Sequence, residues 1–337
     1  MTETVLVTGG SGYVAGWCIA GLLRGGHMVR TTLRDSSKEP QLRSAIRSAG
    51  VSDAGLSVVI ADLTQDAGWD AAMTGCGVVL HVASPLGGGA GDTGGFFAPA
   101  RDGTLRVLAA ATKAGVRRVV MTSAAATARP PLHSEQVSDE TIWADPEDPQ
   151  FDAYRRSKIL AERAAWDFMK TAGGSTEFVT ILPGAVFGPV LTAEVPGSVQ
   201  IIAQMLRGRP AALPRFGFWV VDVRDLADLH IRAMTVPEAA GERFIAAGEF
   251  MWMEDIARTL REGLGQRAAR TPRRRLPNVV VRLLLPFLPQ LKGLAPLLGR
   301  RFMLTSAKAR RVLGFSPRPA AETVVDCAES LLSRTGA

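Results

Sequence analysis

Hydrophobic positions along the first half of the chain fall into short continuous runs separated by stretches with helical spacing. The runs at Thr4–Thr8, Met28–Leu33, Ser57–Ala61, Val78–Val82, Arg118–Thr122 and Phe178–Leu182 predict strands. Between them, apolar residues three and four apart predict helices near 13–24, 40–49, 67–73, 98–114 and 152–172. Runs that are apolar throughout belong to strands covered on both faces. Strict alternation of strand and helix makes successive strands parallel. The expected fold is therefore α/β, a Rossmann-type doubly wound parallel sheet with a smaller, discontinuous C-terminal lobe.

After Leu182 the pattern changes. Pro183, Gly184, Gly188, Pro189, Pro196, Gly197, Pro210 and Pro214 punctuate the chain. The segment VVDVRDLADLHIRAM reads as a strand or turn followed by a helix, RFIAAG as a short strand, and 252–264 as a helix. These elements divide the chain into a sheet domain, 1–183 and 219–248, and a second lobe, 184–218 and 249–337. There is no internal repeat. Residues 87–95, GGGAGDTGG, predict either a surface loop or a lid beyond the fourth strand. Residues 276–301 are strongly apolar with basic flanks. Arg282, Pro286, Pro289 and Lys292 interrupt the ~20 apolar residues that a membrane span needs, so a packed helix pair is expected there, the alternative being an interfacial membrane contact.

Composition narrows the class without overturning it. The 337 residues are 47% hydrophobic and 21% charged, which suits a globular protein with a large core. The formal net charge of +7 would fit a nucleic acid, an anionic lipid or a phosphate-bearing ligand. The excess is concentrated at Arg267, Arg270, Arg273, Arg274 and Arg275 and forms no continuous tract, so neither a nucleic-acid partner nor membrane contact is expected. Cys18, Cys76 and Cys327 and the four histidines are scattered, with no metal-ligand spacing and no disulfide framework. The N-terminus reads as a strand entering a glycine turn, not as a targeting segment. The expected compartment is the cytoplasm.

That first turn carries the first chemistry. VLVTGGSGYVAGWC sets a glycine turn between a strand and a helix, in the overlapping registers Gly9-x-x-Gly12-x-x-Ala15 and Gly10-x-Gly12-x-x-Ala15. Glycines let the backbone approach a pyrophosphate, the helix amino end offers free N–H groups, and Ala15 lets helix and strand pack closely. Thr8, Gly9, Gly12, Tyr13 and Val14 are the candidate contacts for a dinucleotide. The second strand ends at Arg34, with Lys38 beyond it, where an acidic residue would select NAD. A guanidinium can pair with a 2′-phosphate, so NADP(H) is the expected cofactor; the alternative is an inward Asp35 on the ribose. Asp62 can accept from the adenine amino group while Leu63 covers the ring, or Asp62 caps a helix. Val82, Ala83 and Ser84 leave room beside the ribose and nicotinamide.

Tyr154-Arg155-Arg156-Ser157-Lys158 lies early in a predicted helix, so Tyr154 and Lys158 share one face. An ammonium nearby stabilises tyrosinate and lowers its pKa. Such a Tyr can give its proton to a carbonyl oxygen as hydride reaches the carbon. Taken with TGGSGYVAG, TLRD, ADL, HVASP, VVMTS, YRRSK, ILPGAVFGP, VVDVRDLAD and SAKARRVLGFSPRP, the chain resembles the extended short-chain dehydrogenase/reductase family. Within it the chain looks like dihydroflavonol reductases, cinnamoyl-CoA reductases and microbial aldehyde or methylglyoxal reductases.

The resemblance implies Tyr154 as proton donor, Lys158 on the nicotinamide ribose lowering the Tyr pKa, Pro183 and Val186 beside the nicotinamide, and Thr122 near the cofactor. The family's second Ser after the fifth strand is Ala124 here. Its role passes to Ser123 through a local shift, to Thr122 or Thr127, or to no hydroxyl. Strand alternation sets Thr122 and Ala124 on one side and Ser123 on the other. Ser84, Leu86, Ala124, Ala126, Phe187, Met205, Phe216 and Trp219 are the candidate substrate contacts, implying a hydrophobic or aromatic carbonyl compound. The expected activity is NADPH-dependent reduction of an aldehyde or ketone by a monomer or homodimer. Alternatives are a 3β-hydroxysteroid dehydrogenase-like enzyme, a sugar-nucleotide epimerase or dehydratase, and a non-enzymatic NADP sensor.

Overall fold

A computed structural model describes residues 3–84, 97–191, 197–284, 295 and 297–335, with backbone alone at 97, 98 and 335. The strands of the first half are β1 (Thr4–Val7), β2 (Val29–Leu33), β3 (Leu56–Ile60), β4 (Cys76–His81), β5 (Arg118–Thr122) and β6 (Glu177–Pro183). They are followed by β7 (Ala185–Phe187), β8 (Ala212–Pro214), β9 (Gly217–Asp222), β10 (Arg243–Ala246), β11 (Phe250–Trp252) and β12 (Arg274–Leu276). The large sheet has seven strands in the order β10-β6-β5-β4-β1-β2-β3, every pairing parallel. The order reverses beside β1, and that switch point opens a crevice at the carboxyl ends of β1 and β4. The fold is the Rossmann-like α/β class that the alternation predicts.

Helices α1 (Tyr13–Arg24), α2 (Glu39–Ser48), α3 (Trp69–Met73), α4 (Phe97–Lys113) and α5 (Ala153–Ala172) connect the early strands. They are followed by α6 (Val199–Leu206), α7 (Val223–Ala233), α8 (Met253–Leu264), α9 (Asn278–Leu284), α10 (Ala307–Leu313) and α11 (Ala320–Thr335). Strand side chains alternate between two cores. Val5, Val7, Val78, Leu80 and Val120 pack with α1 and α7. Leu6, Val79, Val119 and Met121 pack with Trp69, Leu108 and Ala165 on the other face. This two-sided burial is why the strand runs are apolar at nearly every position.

A further core joins Phe187, Met205, Phe216, Val220 and Met253 to Ile256 and Leu260 of α8 and to Val324 and Ala328 of α11. Residues 219–222 do not enter the large sheet. They belong to β9, which pairs with β7 and β11 in a three-stranded sheet, and the chain returns to the large sheet at β10. Between the two, Asp222 caps α7, and Arg224 and Arg318 tie α7 to α11 through Asp222, Asp225 and Asp326. Of the apolar stretch 276–301, α9 buries Val281 and leaves Val279 and Leu283 exposed. The rest of the expected helix pair, at 285–294, and the whole of 87–95 lie outside the described residues. Among those residues no helix is long and apolar enough to cross a membrane.

Candidate active site

The crevice is built first by Thr8 at the end of β1. Its hydroxyl oxygen accepts the N–H groups of Val82 (3.1 Å) and Ala83 (3.0 Å), which leaves its proton for His81 Nδ1 at 3.0 Å. His81 is therefore neutral with its own proton on Nε2. Burial, followed by the charge of Lys158, pushes its pKa down to about 3. This lock holds the ends of β1 and β4 together and sets Ala83 against the glycine turn. Gly9 has φ +73°, and a Cβ there would meet Ala83 Cβ at 2.9 Å. A side chain at Gly10 would strike Thr31 Oγ1 at 2.4 Å. The turn is pinned by Gly9 N–H to Thr32 Oγ1 (2.9 Å) and Gly12 N–H to Gly9 O (2.8 Å), and Gly12 caps α1. The first-turn N–H groups of Tyr13 and Val14 are thereby presented without intrahelical acceptors.

The Tyr13 side chain has another use. Its hydroxyl donates to Gly188 O (2.8 Å), Trp17 Nε1 donates to Pro189 O (2.8 Å), and burial raises the phenol pKa well above its ordinary value. At the end of β2, Arg34 is exposed and makes no hydrogen bond or ion pair with a described residue. Asp35 is committed: it accepts Ser37 N–H (2.8 Å) and Ser37 Oγ–H (2.6 Å), capping the turn at Ser36–Lys38. Asp62 Oδ1 accepts the N–H and hydroxyl of Thr64, both at 2.8 Å, and these bonds hold its pKa low. Asp62 thus closes a local turn, while α3 is capped by Gly68. Leu63 is half-buried against the core below.

The second half of the site hangs on α5. Asp152 caps that helix by accepting Arg155 N–H at 2.8 Å, which sets Tyr154 in the first turn. The chain has two tyrosines. With Tyr13 tied to Gly188, Tyr154, 48% exposed, is the phenol available to a ligand. Lys158, one turn on, is 6% exposed and has no hydrogen-bond acceptor among the described residues. Burial pushes its pKa down to about 8, opposed by the charge of Glu162. Packing around the Tyr154 ring raises its pKa above the usual value, with Arg155 lowering it and Asp152 raising it. The expected lowering by Lys158 is therefore corrected: desolvation outweighs every nearby charge.

The three hydroxyls that could stand in for the missing Ser are all engaged elsewhere. Ser123, expected as a catalytic group, is 3% exposed, and its Oγ donates to Glu162 Oε2 at 2.5 Å. Glu162 is fully buried and also receives Thr180 Oγ–H (2.9 Å) and Arg243 Nε–H (2.9 Å). Strand alternation turns Ser123 into this network, so its assignment to the site is corrected. Thr122 Oγ1 lies 2.7 Å from His230 Nε2, and His230 Nδ1 lies 2.8 Å from Leu226 O. The ring must donate to that carbonyl, so Nε2 accepts the Thr122 proton. Burial pushes the His230 pKa down to about 4. Thr127 donates to Ala124 O (2.9 Å) and is nearly fully buried. Ala124 itself is half-buried against the cluster of Ala126, Ala144, Phe151 and Ile159.

The substrate contacts expected from sequence divide. Ser84, Ala124 and Trp219 keep accessible surface, and Trp219 donates its indole N–H to Phe302 O at 2.7 Å. Phe187 and Met205 have none, and Phe216 has 5%; all three are core of the second lobe, so their assignment as pocket wall is corrected. Ala126 is buried against Phe151 and Ile159. Leu86 lies outside the described residues. Pro183 is buried at the end of β6 and Val186 half-buried in β7. Sequence reading missed Arg129. This guanidinium has no ion pair among the described residues, and its Nη1 is buried there without an acceptor.

A seven-stranded parallel sheet with a glycine turn at its switch point defines a Rossmann-like fold, with the Tyr–Lys pair on α5. Residues 5–247 match the NAD dependent epimerase/dehydratase family, and the chain belongs to that family. The ketoreductase azaE of Aspergillus niger is 32% identical over 356 aligned residues, covering 99% of both chains. Cinnamoyl-CoA reductase 1 of Petunia hybrida is 36% identical over 264 residues, covering 77% of this chain and 76% of its own. The structure of Gre2 from Candida albicans in complex with NADPH superposes with a TM-score of 0.80 at 25% identity, over 98% of this chain and 99% of that one. These relatives support an oxidoreductase of the extended short-chain reductase type.

Proposed function

We propose that the protein reduces an aldehyde or ketone to an alcohol with NADPH, Tyr154 supplying the proton. The observation that carries this is that Tyr154, a ligand-accessible phenol, and Lys158, a mostly buried lysine with no hydrogen bond to a described residue, stand one turn apart on α5. A ribose diol would supply acceptors for the ammonium. The cofactor fits the remaining groups. The glycine turn leaves the amino end of α1 open to a pyrophosphate, and Arg34 is uncommitted while Asp35 is not, which favours a 2′-phosphate over a ribose hydroxyl.

When bound, the nicotinamide supplies the hydride. The protein's own part is to hold and move a proton. Tyr154, with its pKa above the ordinary value, is protonated at neutral pH and gives the hydroxyl proton to the carbonyl oxygen. Lys158, still mostly charged at neutral pH, would hold the nicotinamide ribose. Ser123, bonded to Glu162, does not share the carbonyl oxygen in this reading. Trp219 and the exposed part of Tyr154 favour an apolar or aromatic body on the substrate.

The test uses NADPH carrying deuterium at both C4 positions, with a panel of aromatic aldehydes, diketones, methylglyoxal and steroid ketones. At least one member should yield an alcohol with a single deuterium on the carbinol carbon, mole for mole with NADPH consumed. No deuterated alcohol from any member would contradict the proposal.

A further inference from the structure

We infer that Arg129 is an anion-binding subsite that holds a carboxylate on the carbonyl substrate; this rests on the reductase reading above. Arg129 follows the short turn Ala125–Ala128, which begins directly after Ala124. Its guanidinium carbon lies 5.9 Å from the centroid of Phe151 and 4.7 Å from that of Phe302. Phe151 leads into the Asp152 cap that positions Tyr154, and the Phe302 carbonyl receives the indole of Trp219. The guanidinium thus lies against the residue that precedes the Asp152 cap and against the residue whose carbonyl holds the Trp219 indole.

Among the described residues, Asp152 and Asp148 act on Arg129 through their charge but make no ion pair with it. Asp148 accepts Gln150 N–H and Gln150 Nε2–H, both at 2.9 Å. Asp152 is held by the backbone and side chain of Arg155. Neither carboxylate is within ion-pair distance of Arg129 in the described residues. Gln150 Oε1 is a second buried atom without a partner, but it is neutral and leaves the charge unmet. Burial and the charge of Arg155 push the Arg129 pKa down to about 10, opposed by Asp152 and Asp148, and it is still well above neutrality, so the group stays cationic. Ring faces attract a guanidinium but accept none of its in-plane N–H bonds. Those edge donors match a planar carboxylate, which can take two parallel bonds. The preferred substrate is then a carbonyl compound with an apolar or aromatic body and an acidic group at its far end.

Wild type, Arg129→Leu and Arg129→Lys are compared on 4-formylbenzoate and its neutral methyl ester with NADPH. In the wild type kcat/KM should favour the carboxylate about tenfold or more, the worth of one charge-assisted pair. In Arg129→Leu that ratio should fall about tenfold, through KM of the acid, and Arg129→Lys should lie between. A wild type with no preference for the acid, or a ratio unchanged in Arg129→Leu, overturns the subsite. Binding of benzoate against benzamide, followed by tryptophan fluorescence in the same proteins, reads the site without turnover. Benzoate should bind the wild type at least tenfold more tightly than Arg129→Leu, and equal binding also overturns it. If neither aldehyde is reduced, the reductase reading is decided by the wider panel above while the benzoate measurement still decides the anion site.

Discussion

At the scale of single residues, the cofactor half of the site is a matter of which side chains remain uncommitted. Asp35 is used up by Ser37 and Arg34 is not. Arg34→Ala should raise the NADPH Kd about ten- to a hundredfold, the loss of ~1.5–3 kcal/mol for a charge-assisted bond, and leave the NADH Kd within about threefold. Equal losses for the two cofactors, measured by titration, would remove the 2′-phosphate assignment. The same accounting separates Ser123 from catalysis. Its hydroxyl satisfies the buried Glu162, which shares Thr180 and Arg243. Ser123→Ala should therefore cost ~1–3 kcal/mol of stability in urea unfolding with kcat kept within about threefold. A hundredfold fall in kcat at unchanged stability would return Ser123 to the site. Sequence shows the Ser123 ambiguity but not its answer, because Glu162 lies 39 residues away and reads as an ordinary helix-surface charge.

At the scale of elements, the strands and helices around the sheet were legible because their periodicity repeats the geometry of a covered parallel sheet. The expected helix near 13–24 is α1 at Tyr13–Arg24, and the fifth strand is Arg118–Thr122 in both descriptions. What periodicity does not carry is which face of an element meets solvent. Phe187, Met205 and Phe216 are apolar near the site in sequence, yet they point into the second lobe's core. The Thr8–His81 lock joins residues 73 apart and leaves no local signal. Its consequence falls on the glycine turn, where Ala83 closes on Gly9. Gly9→Ala adds a methyl at φ +73°, 2.9 Å from Ala83 Cβ. That substitution should lower stability by about 2–4 kcal/mol. A midpoint of denaturation shifted by less than ~0.5 kcal/mol would show that the turn can relax away from β4.

At the scale of the whole molecule, two buried neutral histidines couple the sheet edge to pH. His81 and His230 have folded pKa values of about 3 and about 4, against ~6.5 in the unfolded chain. Between about pH 4 and 6.5 the unfolded state binds more protons, so stability falls as pH falls through that window. From pH 7 to pH 5 the pair should cost at most ~4 kcal/mol. The lowered carboxylates Asp35, Asp53 and Asp62 lose their contribution only further into acid. Urea unfolding at the two pH values reads this directly, and equal midpoints would mean the histidines are hydrated. One ring is bonded to Thr8 after β1 and the other to Thr122 at the end of β5, so acid protonation of either would break a bond at a strand end.

Tyr154→Phe tests the central claim most directly, because it removes one oxygen and keeps the ring. With a substrate reduced by the wild type, kcat should fall about a hundred- to ten-thousandfold while the NADPH Kd stays within about threefold. A kcat within tenfold of wild type, with cofactor binding intact, would contradict proton donation by Tyr154.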